Sequence, residues 1–244
     1  SCNVDVYNGR NINDSVSAYF KQPLRYYNSD TKLQYSVFND STNIFLLLKA
    51  TENLSQYKIM QTGIQLQLDS TESFKNKSGI TYPINQKQNR LSTFMLNNDW
   101  ETFMSRFQYE NIYMKVHGFK GIKDQEILIK NQFNLKVSIS WDSVGVLYYC
   151  AVVPMKLLRN YTIGDSSLAF GVKIVLAPIA NTQDKTNASE NNSVETGYSM
   201  YQQKMSMYSN QTARMQATPM MNETQSYLSN IRSLKFIYKP VWRK

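Results

Sequence analysis

The residues able to do chemistry are few and do not come in sets. His117 is the only histidine, and the cysteines are Cys2 and Cys150. Zinc takes Cys and His ligands in groups, so one His and two distant Cys do not make such a site. A Ser-His-Asp relay would have to use His117, yet no serine sits in a G-x-S-x-G turn. The nine glycines include no Walker loop and no dinucleotide fingerprint. No D-x-D-x-D run offers the converging oxygens of a calcium loop. No cofactor and no metal is therefore expected. Carboxylates remain: Asp69, Asp142 and Asp165 could in principle supply the acid/base pair of a glycosidase. Asp69 and Asp142 stand at predicted strand ends, where Asp is ordinary turn chemistry. The expectation is a protein that is not an enzyme, with a carboxylate-dependent glycoside hydrolase as the least favoured alternative.

Aromatic residues are abundant, with 17 Tyr, 11 Phe and 3 Trp. Exposed rings can stack on the apolar face of a sugar. Trp141, Trp242, Tyr26 and Tyr27 are the candidate ligand-binding residues. Trp141 shares a predicted strand face with Leu135, Val137 and Ile139, which equally suits core packing. Cys150 lies inside an apolar run and reads as a small buried hydrophobe. Cys2 follows Ser1 and precedes a polar stretch, which fits the remnant of a bacterial lipoprotein signal cut before a cysteine. It is the candidate lipidation site, and the expected address is the cell envelope, periplasmic or surface-exposed. Any membrane association would then run through that anchor, because no apolar run is long enough to span a bilayer.

The formal net charge is +9. Lys and Arg are scattered singly, as at Lys115, Lys120, Lys123, Lys130 and Lys136; only Lys239 to Lys244 is locally basic. Nucleic-acid binding calls for a clustered stripe, so no such partner is expected. The charge speaks to solubility and weak association. With 244 residues the chain can bury a substantial core without disulfide staples.

These residues must be positioned by short runs of β-formers between Asn/Asp/Gly/Ser turns. Candidate strands are Ser15 to Phe20, Leu33 to Phe38, Ile64 to Leu68, Ile112 to Phe119, Glu126 to Ile129, Ala169 to Leu176 and Leu234 to Trp242. Ile44 to Leu48 is apolar on both faces and should be central. The clearest hairpin runs Leu135 to Trp141, turns at Asp142 to Gly145, and returns along Val146 to Val153. Leu54 to Thr62 predicts a short helix stopped by Gly63. Trp100, Phe103, Met104 and Phe107 share a second helical stripe. Residues 181–230, poor in branched aliphatics, predict a long exposed loop with a helical turn near Tyr227 to Arg232.

Several runs resemble a family. Asn39-Asp40-Ser41-Thr42-Asn43-Ile44-Phe45-Leu46, Ile59 to Asp69, Gly79-Ile80-Thr81-Tyr82-Pro83-Ile84, Ile139 to Met155 and Phe170-Gly171-Val172 follow one another as in the family-9 carbohydrate-binding-module-like (DOMON-like) sandwich domains of secreted Bacteroidetes proteins. The likeness covers roughly two-thirds of the stretch from Leu33 to Trp242. It implies an Ig-like sandwich, an extracytoplasmic address and, in some members, sugar binding. Gln67 stands where relatives often carry Trp, and Cys150 where they often carry Glu, so the sugar-binding positions do not transfer.

The resulting expectation is an all-β chain, an Ig-like or jelly-roll-like antiparallel two-sheet sandwich with one or two short helices. Residues 1–14 would be an exported linker. Residues 15–244 would form one domain with a Met-rich insertion at about 181–230. The expected role is non-catalytic binding of a glycan through exposed aromatics. The alternative is a structural or assembly lipoprotein that docks another protein by the Met-rich loop or a strand edge.

Overall fold

The computed structural model describes residues 5–8, 24–69, 74–75, 77–84, 107, 109–159, 169–179 and 217–240. Their alternating and doubly apolar runs become twelve strands. These are β1 (Asp5–Asn8), β2 (Tyr26–Asn28), β3 (Leu33–Asn39), β4 (Asn43–Ala50), β5 (Ile64–Asp69) and β6 (Ser78–Tyr82). After them come β7 (Tyr113–His117), β8 (Gln125–Leu128), β9 (Lys136–Trp141), β10 (Leu147–Pro154), β11 (Phe170–Leu176) and β12 (Arg232–Lys239).

Five strands form one antiparallel sheet in the order β2-β3-β4-β10-β9. The second sheet runs β12-β11-β5-β6-β7-β8, antiparallel throughout, and β1 joins the free side of β12 in parallel. The protein is thus an all-β two-sheet sandwich. The two runs that are apolar on both faces, β4 and β10, are interior strands paired with each other. Such strands meet a neighbour on each edge, so their backbone groups pair within the sheet.

The core lies between the sheets. Leu46, Leu48, Tyr149 and Ala151 on one side belong to the same buried cluster as Leu66, Leu68, Val172, Ile174 and Phe236 on the other. Two contacts tie the sheets directly. The Tyr35 ring stacks on Phe236 at 5.2 Å between centroids. The Tyr238 hydroxyl donates to Asn39 Oδ1 at 2.6 Å in a buried setting.

Helix α1 (Asn53–Thr62) ends where expected, at Gly63, whose N–H donates to the Ile59 carbonyl at 2.8 Å. Gly63 has φ +71°, and a Cβ there would sit 2.3 Å from the Pro83 carbonyl oxygen. Only glycine meets both demands. Helix α2 (Ala217–Ser229) was not expected at that length. It replaces the last part of the predicted loop, and the predicted turn at Tyr227 to Arg232 instead splits between the end of α2 and the start of β12. Its C-terminus is held from α1: Lys58 Nζ donates to the carbonyls of Tyr227 (2.6 Å), Leu228 (3.0 Å) and Asn230 (2.5 Å). A buried ammonium thus supplies the donors that helix-end carbonyls lack.

Within residues 1–14, expected to be a linker, Asp5–Asn8 form β1. Strand alternation turns Val153 into the core and Val152 to the outer face. The strand predicted at Ser15 to Phe20, the upstream part of the stripe that includes Trp100, and residues 181–216 of the insertion lie outside the described residues; Phe107, at the end of that stripe, is helical and buried.

Candidate binding groove

The outer face of the five-stranded sheet is apolar in its middle. Phe38, Phe45, Leu47 and Cys150 form a second buried cluster there, with Leu24 and Val152 packed against it. Phe38 and Phe45 are directly opposed across β3 and β4 and stack at 5.2 Å, 12° from parallel. Toward the end of the sheet where β4 and β9 begin, this face opens into a groove of about 980 Å³. That volume is at the upper end of the range for a small-molecule site.

Register builds the floor in rows. Val152 lies opposite Phe45 on one side and Lys136 on the other. One step along, Cys150 lies between Leu47 and Ser138. Each row passes from apolar side chains at β4 to a polar one at β9. The walls bring in Lys130 from the β8–β9 connection and Lys156 from the 3-10 turn Met155–Leu157. All three lysines are exposed. No carboxylate occurs among the described residues that line the groove. Asp40, in the adjoining turn, accepts from the N–H groups of Thr42 (2.7 Å) and Asn43 (2.6 Å) and from Asn43 Nδ2 (3.1 Å). Desolvation would raise its pKa, but these bonds outweigh it and leave it lowered, so the carboxylate is committed to the turn. Burial pushes the Cys150 thiol up to about 12, so it stays protonated and is a wall rather than a nucleophile.

Of the ligand-binding candidates singled out in the sequence, the described ones, Trp141, Tyr26 and Tyr27, are not brought together. Trp141 ends β9 and is half-buried; its Nε1 donates to Gln56 Oε1 at 3.0 Å and its ring meets Phe107 edge-on at 5.3 Å. Tyr26 is half-buried beside Tyr35 at 5.4 Å, while Tyr27 is 58% exposed. A two-residue alternation separates them, so they do not form an exposed pair. β2 and β9 are opposite edges of the sheet, which puts Trp141 and Tyr27 four strand spacings apart. Trp242 and Cys2 lie outside the described residues, as does Asp165.

The described acid–base candidates lie in different parts of the fold. Asp142 accepts from the N–H groups of Val144 (3.1 Å) and Val146 (2.9 Å) and from the Tyr148 hydroxyl (3.1 Å), a hairpin turn fixed by a side chain. Asp69 is buried at the end of β5, in the other sheet. His117 is half-buried over Gly79, also in the other sheet. Among the described residues, no three His, Cys, Asp or Glu gather as metal ligands. No helix among them is long and apolar enough to cross a membrane.

The exposed aromatics that the sequence did not single out are Tyr109 (82%) and Tyr113 (42%). Tyr113 is paired with Leu128 across β7 and β8, and Ile112 precedes it, so an exposed apolar patch marks that edge. The groove lysines were also missed as a group. Alternation along β9 already sends Lys136 and Ser138 away from the core, but nothing local connects them with Lys130 and Lys156. The chain was compared with family models, curated proteins and solved structures, and none of them matches it.

Proposed function

We propose that the chain is a non-catalytic binding module whose ligand rests in the groove on the outer face of the five-stranded sheet. The observation that carries this reading is an open cavity of about 980 Å³ whose lining includes three lysines beside Phe45, Cys150 and Val152. The side chains that could move protons support it by their other engagements: Asp142 and Asp40 hold turns, and His117 belongs to the opposite sheet. The ordered likeness to carbohydrate-binding-module-like sandwiches points the same way. An extracytoplasmic address with a lipid on Cys2 belongs to this proposal, and mass spectrometry of the mature protein from its native host tests it.

The groove reading is tested by screening glycans and organic anions for thermal stabilisation, then mapping each hit by amide chemical shifts. Shifts centred on Phe45, Ser138 and Val152 support it. A hit that moves Tyr27, Tyr109 or Tyr113 and leaves the groove unchanged would replace it with an aromatic platform. A second reading is protein docking at the β7–β8 edge, favoured by the exposed patch of Tyr109, Ile112, Tyr113 and Leu128. It predicts a crosslinked partner that is lost in a Tyr113→Ser, Leu128→Ser variant.

A further inference from the structure

We infer that the groove takes an amphiphilic organic anion, its anionic group held by Lys130, Lys136 and Lys156 and its apolar body lying on Phe45 and Val152. The inference rests on the groove being the binding site and names what fits it. Val152 is opposed to Phe45 on one side and to Lys136 on the other, a row across three adjacent strands. Neighbouring strands are about 4.8 Å apart, so the backbones of Phe45 and Lys136 lie about 10 Å from each other. A ligand laid across the strands therefore meets apolar surface first and positive charge at the β9 edge.

Charge complementarity selects the class. The described lining has three lysines and no carboxylate, so a cationic or neutral ligand would leave three like charges uncompensated around it. A small hydrophilic anion would satisfy the lysines but leave the part-exposed Val152 in water. A polyanion would need a basic track, whereas the lysines here share one cavity. An acidic peptide added to the β9 edge would reach the lysines through its backbone register. It would leave the Phe45 end of the row empty, two strands in from that edge.

The test is calorimetric titration of the full chain with dodecanoate below its micelle concentration, with dodecyltrimethylammonium, acetate and a Glu-rich octapeptide as comparators. The expected result is saturable dodecanoate binding that shifts the amides of Phe45, Ser138 and Val152 and weakens as salt is raised. The cationic analogue and acetate should bind at least about tenfold more weakly, and a Lys130→Gln, Lys136→Gln, Lys156→Gln variant should lose on the order of tenfold in affinity. These lysines are exposed, so the variant should keep its melting temperature; Val152→Asp is a second block from the apolar side. Equal binding of the cationic analogue, or unchanged affinity in the triple variant, overturns the inference. If acetate or the peptide moves the groove amides and dodecanoate does not, the ligand class is wrong and the groove reading stands. If no compound moves them, both fall.

Discussion

The hydroxyl of Tyr238 on β12 reaches across the sandwich to Asn39 Oδ1 at 2.6 Å, joining the last strand of one sheet to the end of β3 in the other. Burial raises the Tyr238 pKa far above its ordinary value, so the phenol stays a donor at any physiological pH. Tyr238→Phe keeps the ring and removes that donor from a buried amide. It should destabilise the protein by about 1–2 kcal/mol in urea denaturation with the m value unchanged. Tyr149 makes the opposite case. Its ring is fully buried and its hydroxyl has no partner among the described residues. Tyr149→Phe should therefore be neutral or stabilising by up to about 1 kcal/mol. Equal losses in the two variants would refute the distinction.

Lys58 should prove structural. Lys58→Met keeps the buried stem but removes the donor from three carbonyls, so the end of α2 should exchange its amides faster and the chain lose about 2–4 kcal/mol. Burial first, and Arg232 next, push its pKa down from 10.5 to about 8, against a smaller upward pull from Asp30. A lysine with a depressed folded pKa sheds its proton in the native state before the unfolded chain does. Its contribution to stability is therefore least below about 8 and rises as the pH climbs toward 10.5. Wild type should gain on Lys58→Met across that window. A constant gap between pH 7 and 10 would contradict this.

His117 and Gly79 should behave as one unit. A Cβ on Gly79 would fall 2.1 Å from Cε1 of the imidazole, so Gly79→Ala alone should destabilise, and His117→Ala should relieve most of that penalty. Additive effects in the double-mutant cycle would show that the ring moves aside freely. Desolvation, aided by Lys77 and Lys115 and opposed by Asp124, lowers the His117 pKa below 6.5. The native state thus resists protonation. Stability should fall as pH drops below 6.5 toward the folded value, and His117→Gln should flatten that slope.

Trp141 should matter to stability and not to ligand. Trp141→Phe loses the bond to Gln56, whose own amide donates to the carbonyls of Ala50 and Gly145. The expected loss is about 1 kcal/mol, with affinity for any groove ligand unchanged. A ligand whose binding collapses in Trp141→Phe while the melting temperature holds would restore the aromatic platform.

Much of the sandwich is legible along the chain because strand periodicity is local. Leu33, Tyr35 and Val37, spaced two apart, turn to the core from β3, and the Asp142–Gly145 turn closes the hairpin it was expected to close. The elements that escaped were those stabilised from a distance. β1 is four residues long and exists through pairing with β12 at the other end of the chain. Helix α2 sits in an unpromising polar stretch, and its end carbonyls are met by a lysine about 170 positions earlier. Tyr227 likewise donates to the carbonyl of Thr31, far upstream.

What the order of residues determined by itself was which side chains turn inward: Ile139 and Val137 to the core, Lys136 and Ser138 away from it, Cys150 into an apolar strand as an inert thiol. It also determined that His117 is the only histidine and that Cys2 and Cys150 are the only cysteines. What only the tertiary structure decided was adjacency. Lys130, Lys136 and Lys156 read as isolated charges along the chain, and they share a groove because β9 pairs with β10, and β10 with β4. Trp141 and Tyr27 read as companions, and the same strand order sends them to opposite edges. The physical reason is that a strand's own residues set the direction of each side chain every two positions, whereas a neighbour across the sheet is set by register between segments that carry no local record of each other.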